Sequence, residues 1–203
     1  ASLDTNILRP AGDPHAPNGG LRILDGNLGK AVIKISAVAE ERRLIEATAA
    51  VFEDEAAVKA AYAAGELDRD VVVVVRGQGP QATGMPELHS LTPMLSNLQD
   101  KGHAVALVTD GRMSGASGTV PAAIHVMPEA VAGGPIGQLA DGDIIRLDAV
   151  AGTLQTDAEL NPRAPFGPTN SAPQRGFARP LFSALRASAG SAEQGAGLHS
   201  QES

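Results

Sequence analysis

Five consecutive valines, Val71–Val75, constrain the fold of this chain more than any other feature of its sequence. The run is too short for a helix and has no polar face, which predicts a strand covered on both sides. The apolar stretch 104–108 predicts a second strand of this kind. Two helices are expected near these strands, over 54–64 and 92–102, because each has an N-terminal start signal and ends at a glycine.

Further strands are expected from apolar, β-branched stretches at 31–38, 46–52 and 144–150. This order predicts an α/β domain built on a mixed, barrel-like β-sheet flanked by a few helices. We expect a linker over 1–22, a folded domain over 23–160, and a tail over 161–203. A short amphipathic helix is expected within that tail, at 177–187. The chain begins without Met, which is expected of a processed product or a fragment.

The composition excludes several classes of function. The formal net charge of -7, without a basic patch, argues against nucleic acid as the main partner. The absence of cysteine excludes disulfides, thiol nucleophiles and Cys-ligated clusters within this chain. No run approaches the roughly 20 apolar residues of a membrane span, and residues 1–6 lack the plan of a signal peptide. We therefore expect no membrane partner and a cytoplasmic location.

A glycine-rich segment, 108–118, follows the strand predicted at 104–108. It places Ser114 in a turn between glycines, a position from which a serine can act as nucleophile, base or anion donor. The hydrolase pattern Gly-x-Ser-x-Gly is not met, and the Lys-Ser/Thr of a Walker loop is missing. From the residues alone, a purely turn-forming Ser114 remains an equal alternative.

Other candidate residues lie in the same two loops. Glu87 follows a stiff Gly/Pro-rich loop and is a possible ligand for a hard metal ion, although one carboxylate makes no site. Arg76, Arg112 and Gly115 are candidate substrate-binding residues, since arginines and loop N–H groups can hold an anion. Solvation at the surface is the alternative for all of them. The histidines show no metal-ligand spacing and are interpreted as surface or core residues, namely His89, His103 and His125.

These loops resemble those of a known family. The resemblance rests on GNLGKAVIK at 26–34, GPQATGMPEL at 79–88 and LVTDGRMSGASG at 107–118, with 128–130 and 141–143 adding to it. The chain is similar to the C-terminal domain of the dihydroxy-acid/6-phosphogluconate dehydratase family. Its Met-Pro-Glu-Leu-His and the C-terminal stretch AEQGA resemble the phosphogluconate branch.

The resemblance implies a swivelling β/β/α-type domain and a hydro-lyase that removes water from a 2,3-dihydroxy acid. For 6-phospho-D-gluconate, the product would be 2-keto-3-deoxy-6-phosphogluconate, in the Entner–Doudoroff route. It further implies that Ser114 is the base that takes the C2 proton and that Glu87 is a Mg²⁺ ligand. The implied Lewis acid is an iron–sulfur cluster held by an N-terminal domain of the same protein. A homodimer is also expected.

Because the cluster ligands cannot come from this chain, we expect it to be inactive alone. Two alternatives stay open at this point. The protein can be a dehydratase for a different sugar acid or dihydroxy acid, or it can be a non-catalytic binding or assembly domain. Replacement of Ser114 in the full-length protein distinguishes the last alternative from catalysis.

Overall fold

The fold is a closed, mixed eight-stranded barrel in a computed structural model that describes residues 2–16, 18–114, 118–160, 163–164, 166–167 and 178–198. The strands are β1 Leu21–Gly26, β2 Gly29–Lys34, β3 Leu44–Phe52, β4 Val71–Val75, β5 Val105–Thr109, β6 Ala122–Met127, β7 Ile144–Asp148 and β8 Thr153–Thr156. The helices are α1 Glu55–Ala63, α2 Thr92–Asp100 and α3 Ala178–Ala187. The predicted α/β architecture with a barrel-like sheet is confirmed.

The barrel has a parallel half and a largely antiparallel half. Around it the order is β1-β2-β6-β5-β4-β3-β7-β8, closed by a parallel contact between β1 and β8. The β3–β4, β4–β5 and β5–β6 pairs are parallel. The β1–β2, β2–β6, β3–β7 and β7–β8 pairs are antiparallel. The carboxyl ends of β3, β4 and β5 therefore meet at one end of the barrel.

The valine run of β4 is buried on both faces, as its sequence predicted. Val72 and Val74 belong to the core inside the barrel. Val71, Val73 and Val75 belong to a second core, on the outer face, which α1 and α2 cover. Period-two alternation places successive side chains in these two layers, so the strand has no face for polar residues.

Local sequence chemistry favours the start of each of the two covering helices. Asp54 caps α1, its Oδ1 accepting the N–H of Ala57 at 2.8 Å. In α2, proline stands in the first turn, where no intrahelical N–H is needed. Val58 in α1 and Leu95 and Leu98 in α2 are buried against the outer valines, which anchors both helices on β4 and β5.

The sequence patterns did not predict β1, β6 or β8, and they placed the end of β2 too late in the chain. The strand predicted over 31–38 runs over Gly29–Lys34, because Ile35 donates its N–H to the carbonyl of Gly20 and the chain leaves the ladder. β1 pairs with β2 through a tight turn, with Gly26 opposite Gly29. Its first residues fall inside the expected linker, whose boundary with the folded domain stays a prediction.

The C-terminal helix packs back on the barrel through the residues that follow it. Gln81 donates its Nε2–H to the carbonyl of Ala189 at 3.0 Å, and the ammonium of Lys30 lies 3.2 Å from a carboxylate oxygen of Glu193. The helix predicted at 177–187 is confirmed over Ala178–Ala187, while Phe177 lies outside the described residues. Within the described part of the chain, no helix is both long and apolar enough to cross a membrane.

Candidate active site

The candidate site lies at the carboxyl ends of the parallel strands β4 and β5. The loop after β4 runs from Arg76 to Glu87, and the loop after β5 begins at Asp110 and carries Ser114. In open parallel sheets and in closed parallel barrels alike, ligands bind at the carboxyl ends of the strands, because the loops there are free of the ladder and adjacent in space. The two glycine-rich segments singled out in the sequence are therefore neighbours in the fold.

Ser114, Glu87 and Arg112 come together at the contact between these loops. Glu87 Oε1 accepts the backbone N–H of Ser114 at 2.6 Å, and Glu87 Oε2 lies 3.6 Å from the Arg112 guanidinium. An isolated parallel bridge pairs Glu87 with Arg112, and Leu88 donates its N–H to the Arg112 carbonyl. The Arg112 side chain is 53% exposed and that of Glu87 is 33% exposed, so both reach solvent beside Ser114.

Asp110, in the protein interior, holds the loops in this arrangement through hydrogen bonds. Its side chain is fully buried, and its two oxygens accept three backbone N–H groups, from Gly77 at 3.1 Å, Gln78 at 2.8 Å and Ala130 at 2.9 Å. Burial raises the pKa of the Asp110 carboxyl, and the three hydrogen bonds act against that rise. One side chain thus ties the β5 loop to the β4 loop and to the segment after β6.

Glu129 is a second buried carboxylate that fixes the β4 loop. Its oxygens accept the N–H groups of Gln81 at 3.0 Å and Ala82 at 3.2 Å. Burial raises the pKa of this carboxyl as well. Gly79 permits the contact, since a Cβ there would lie 2.2 Å from a Glu129 oxygen. Sequence reasoning used 128–130 only for the family resemblance and missed this role.

Arg76 and Gly115 are not brought into the Ser114 cluster by any described contact. The Arg76 guanidinium donates to the carbonyls of Gly137 at 2.9 Å and Leu139 at 2.7 Å, and stacks 5.1 Å from the Phe166 ring centroid. Its Nε is buried without a hydrogen-bond partner among the described residues. Gly115 lies outside the described residues. Substrate binding by either residue stays a prediction.

Three of the five histidines were considered in the sequence, and they occupy different parts of the fold. His103 precedes β5 at the far end of the barrel and pairs with Asp68 at 2.8 Å. His89 is exposed at the start of a short 3-10 turn. His125 is partly buried in β6, and its backbone N–H donates to the Gly111 carbonyl at 2.9 Å. The sequence interpretation of His125 as an ordinary surface or core residue therefore omits its contact with the Ser114 loop.

The described residues contain no group of three or more His, Asp or Glu side chains placed to hold a metal ion. Glu87 fits the part of a single carboxylate ligand, because it is partly exposed and one oxygen is used only by a backbone N–H. The sequence has no cysteine and so no thiolate for an iron–sulfur cluster. Any such groups need further ligands from outside this part of the chain.

Two cavities flank the Gly79–Met85 part of the β4 loop. One, of about 400 Å³, lies between the start of β2, the segment 127–129 and the 3-10 turn at Ala192–Gln194. The other, of about 390 Å³, lies between Thr83–Met85 and α3. The C-terminal residues therefore form one wall of each cavity and the β4 loop forms the other.

With this geometry in place, comparison with known proteins is decisive for the family. The family model described as dihydroxy-acid/6-phosphogluconate dehydratase C-terminal matches residues 6–196. The chain belongs to this family. The resemblance inferred from the glycine-rich loops is therefore confirmed, and the matched residues include every described element from β1 to α3.

Individual relatives agree with the family match. The chain is 56% identical over 198 residues to a phosphogluconate dehydratase of Pseudomonas aeruginosa, covering 96% of this chain and 32% of that relative. It is 54% identical over 198 residues to the Escherichia coli K12 phosphogluconate dehydratase, at 96% and 33% coverage. A dihydroxy-acid dehydratase of Nitratidesulfovibrio vulgaris is 44% identical over 155 residues, at 74% and 27% coverage. The chain spans about a third of the length of these relatives.

Proposed function

We propose that this chain is the C-terminal part of a hydro-lyase that dehydrates 6-phospho-D-gluconate to 2-keto-3-deoxy-6-phosphogluconate, in the Entner–Doudoroff route. The proposal rests on two contacts of the Glu87 carboxylate: one oxygen accepts the Ser114 N–H, and the other lies beside the Arg112 guanidinium. The names of the relatives and the identity over 96% of the chain support the choice of substrate.

The chemistry assigned to this chain is proton abstraction. As its alkoxide, the Ser114 oxygen takes the proton from C2 of the acid while the C3–O bond breaks. The proton then passes from Ser114 to the departing hydroxide, so that water leaves, the alkoxide is restored and the resulting enol tautomerises to the keto acid. A serine hydroxyl is a weak base unless its alkoxide is stabilised. Arg112 forms an ion pair with Glu87. Its exposed guanidinium can stabilise the Ser114 alkoxide and can also bind an anionic substrate.

The proposed cofactors are Mg²⁺ and an iron–sulfur cluster held by an N-terminal domain of the same protein. When bound, they supply Lewis-acid assistance to the departing hydroxyl. From this chain Glu87 would offer one oxygen to Mg²⁺, and the position of its carboxylate is set by Ser114 and Arg112. A cytoplasmic homodimer is part of the same proposal and is supported by the family resemblance alone.

The test is Ser114→Ala in the full-length protein, assayed with 6-phosphogluconate. We expect kcat to fall at least about 10²–10⁴-fold, the usual contribution of a catalytic acid or base, with the melting temperature unchanged. Ser96→Ala, in the partly exposed middle of α2, is the matched control and should keep full activity. An unchanged kcat in the Ser114→Ala protein would favour the non-catalytic assembly role instead.

Two further measurements define the substrate and the incomplete site. The 203-residue chain alone should give no turnover, and detectable turnover would refute the need for an N-terminal domain. In the full-length protein, kcat/KM for the phosphorylated acid should exceed that for the unphosphorylated sugar acid and for branched-chain dihydroxy acids. The reverse order would assign the protein to the dihydroxy-acid or another sugar-acid dehydratase.

A further inference from the structure

His125 lies where β6 has one residue more than a regular ladder with β2 would contain. Val32 pairs with Ile124 and Lys30 with Met127, so two steps along β2 correspond to three along β6. The extra residue is a β-bulge, and His125 takes a left-handed backbone conformation within it, with φ at +56°. Bulges of this kind re-aim a side chain and are common beside active sites. Positive φ is uncommon for residues other than glycine, and histidine is among the few that adopt it more often.

The bulge connects directly to the Ser114 loop. The β5–β6 ladder pairs Leu107 with Ala122 and Val108 with Ala123. Beyond that ladder, the His125 N–H donates to the Gly111 carbonyl at 2.9 Å. Gly111 immediately precedes Arg112, so the backbone of His125 is fixed against the residue that positions the exposed guanidinium.

The imidazole of His125 has open hydrogen-bonding capacity. It is partly buried, and no group in the part of the chain that the structure describes hydrogen-bonds its ring. Burial, together with the positive charge of Arg112, lowers the pKa of the ring. A neutral imidazole offers one donor and one acceptor nitrogen. His103 differs in each respect, since its ring is paired with Asp68 at the opposite end of the barrel.

We propose that His125 is a substrate-contacting residue of this site, whose imidazole hydrogen-bonds a hydroxyl or carboxylate oxygen of the sugar acid beside Arg112. The inference rests on the proposed function, because it assigns to that site a second wall from β6. A polyhydroxy acid suits this pair: Arg112 provides donors only, whereas a neutral imidazole also accepts from a hydroxyl. The bulge keeps the partly buried His125 out of the barrel core, in which the neighbouring Val126 is fully buried, and its backbone contact with Gly111 places it beside the Ser114 loop.

The first experiment measures kcat and KM of full-length His125→Asn and His125→Gln with 6-phosphogluconate. Asparagine tolerates positive φ, so the bulge should be kept. We expect kcat/KM to fall about 10- to 100-fold, with KM raised, since a buried polar contact to substrate is lost. His103→Asn is the matched control and should match the unaltered protein. An unchanged kcat/KM in both His125 variants would overturn the proposal.

The second experiment separates binding from folding and from the proposed catalytic role of Ser114. In full-length Ser114→Ala, in which turnover is expected to be at least about 10²-fold slower, the Kd for 6-phosphogluconate is measured by calorimetry with and without His125→Asn. We expect His125→Asn to weaken binding about tenfold or more. Loss of activity that follows a lowered melting temperature, with Kd unchanged, would make His125 structural and overturn the inference. Full activity of Ser114→Ala would instead contradict the proposed function.

Discussion

The loops at the end of the parallel strands hold two kinds of carboxylate, and the contrast between them explains the site. In the interior, Asp110 and Glu129 are held by backbone N–H groups, with no ion pair to either among the described residues. At the rim, Glu87 and Asp143 each lie beside an arginine. The pKa values of the interior pair are raised by burial, whereas hydrogen bonding to Arg163 lowers the pKa of Asp143.

The two kinds of carboxylate are suited to different roles: the interior pair holds the loops in place, whereas a rim carboxylate can contact a ligand. A buried carboxylate that accepts several N–H groups fixes loops whose own backbone groups have left the sheet ladder. A partly exposed carboxylate beside an exposed guanidinium can exchange its partners for a ligand. Asp110 and Ser114 lie four residues apart, yet the first is fully enclosed and the second donates its N–H to the partly exposed Glu87. The Glu87 carboxylate at the rim therefore stays partly exposed, whereas the interior carboxylates are fully used in holding the loops.

Replacing an acceptor oxygen of Asp110 gives the largest expected change in stability. In Asp110→Asn, the amide NH2 group faces at least one of the three backbone donors, which leaves a buried N–H without an acceptor. We expect the free energy of unfolding to fall by about 2–4 kcal/mol, one to two buried hydrogen bonds to a charged group. Urea unfolding of the chain measures it. Asp100→Asn, at the exposed end of α2, should stay within about 0.5 kcal/mol of the original chain.

If Asp110→Asn unfolds no more easily than Asp100→Asn, the buried carboxylate does not hold the loops together. A loss as large in both variants would instead indicate a general effect of net charge.

Glu129→Gln should have a smaller and more local effect. Glu129 accepts two N–H groups rather than three, and it holds only the β4 loop. We expect a loss of about 1–2 kcal/mol, since one of the two acceptors is retained. Faster amide hydrogen exchange at Gln81 and Ala82 would locate the change, because their N–H groups would open to solvent more often.

Glu66→Gln, on the exposed turn after α1, is the control and should leave exchange at Gln81 and Ala82 unchanged. Unaltered exchange in Glu129→Gln would show that the loop keeps its conformation without the carboxylate.

Local sequence patterns predicted the parallel half of this fold well. The valine run, the helix caps and the glycine stops are local signals, and β4, β5, α1 and α2 form where those signals lie. β1 and β8 were missed because a half-exposed or very short strand has little apolar pattern. Their place in the sheet depends on barrel closure, which is a long-range property.

Some residues of the candidate site were predicted from the sequence, whereas the roles of others were not. The family resemblance singled out Ser114 and Glu87, and the structure brings them into contact. Asp110 was interpreted only as part of the glycine-rich segment 108–118, since no sequence pattern reveals three donors from two separate segments of the chain. The contacts of Arg76 with Gly137 and Leu139 join residues about 60 positions apart. The bulge at His125 is equally invisible, because one residue inserted in a ladder leaves no mark in composition.

The smallest expected effect is a pH dependence that distinguishes the two kinds of carboxylate. Arg163 binds both oxygens of Asp143 and holds its pKa below the ordinary value of 3.8. The stabilisation from Asp143 is therefore complete above that ordinary value and is lost as pH falls through the lowered folded value. The interior carboxylates act in the opposite direction: their raised pKa values make the folded chain bind protons first as pH falls, so their contribution declines as pH rises.

We expect Asp143→Asn to lower the free energy of unfolding by about 0.2–1 kcal/mol near neutral pH, as for a partly exposed ion pair. That difference from the original chain should shrink as urea unfolding is repeated at pH values progressively below 3.8, as the unaltered Asp143 also becomes protonated. The neighbouring Asp141→Asn protein is the comparison, since Asp141 has a backbone partner in Val51 but no arginine among the described residues. A difference for Asp143→Asn that stays constant with pH would mean that the Arg163 contact depends on shape rather than on charge. The rim carboxylate would then resemble the interior pair.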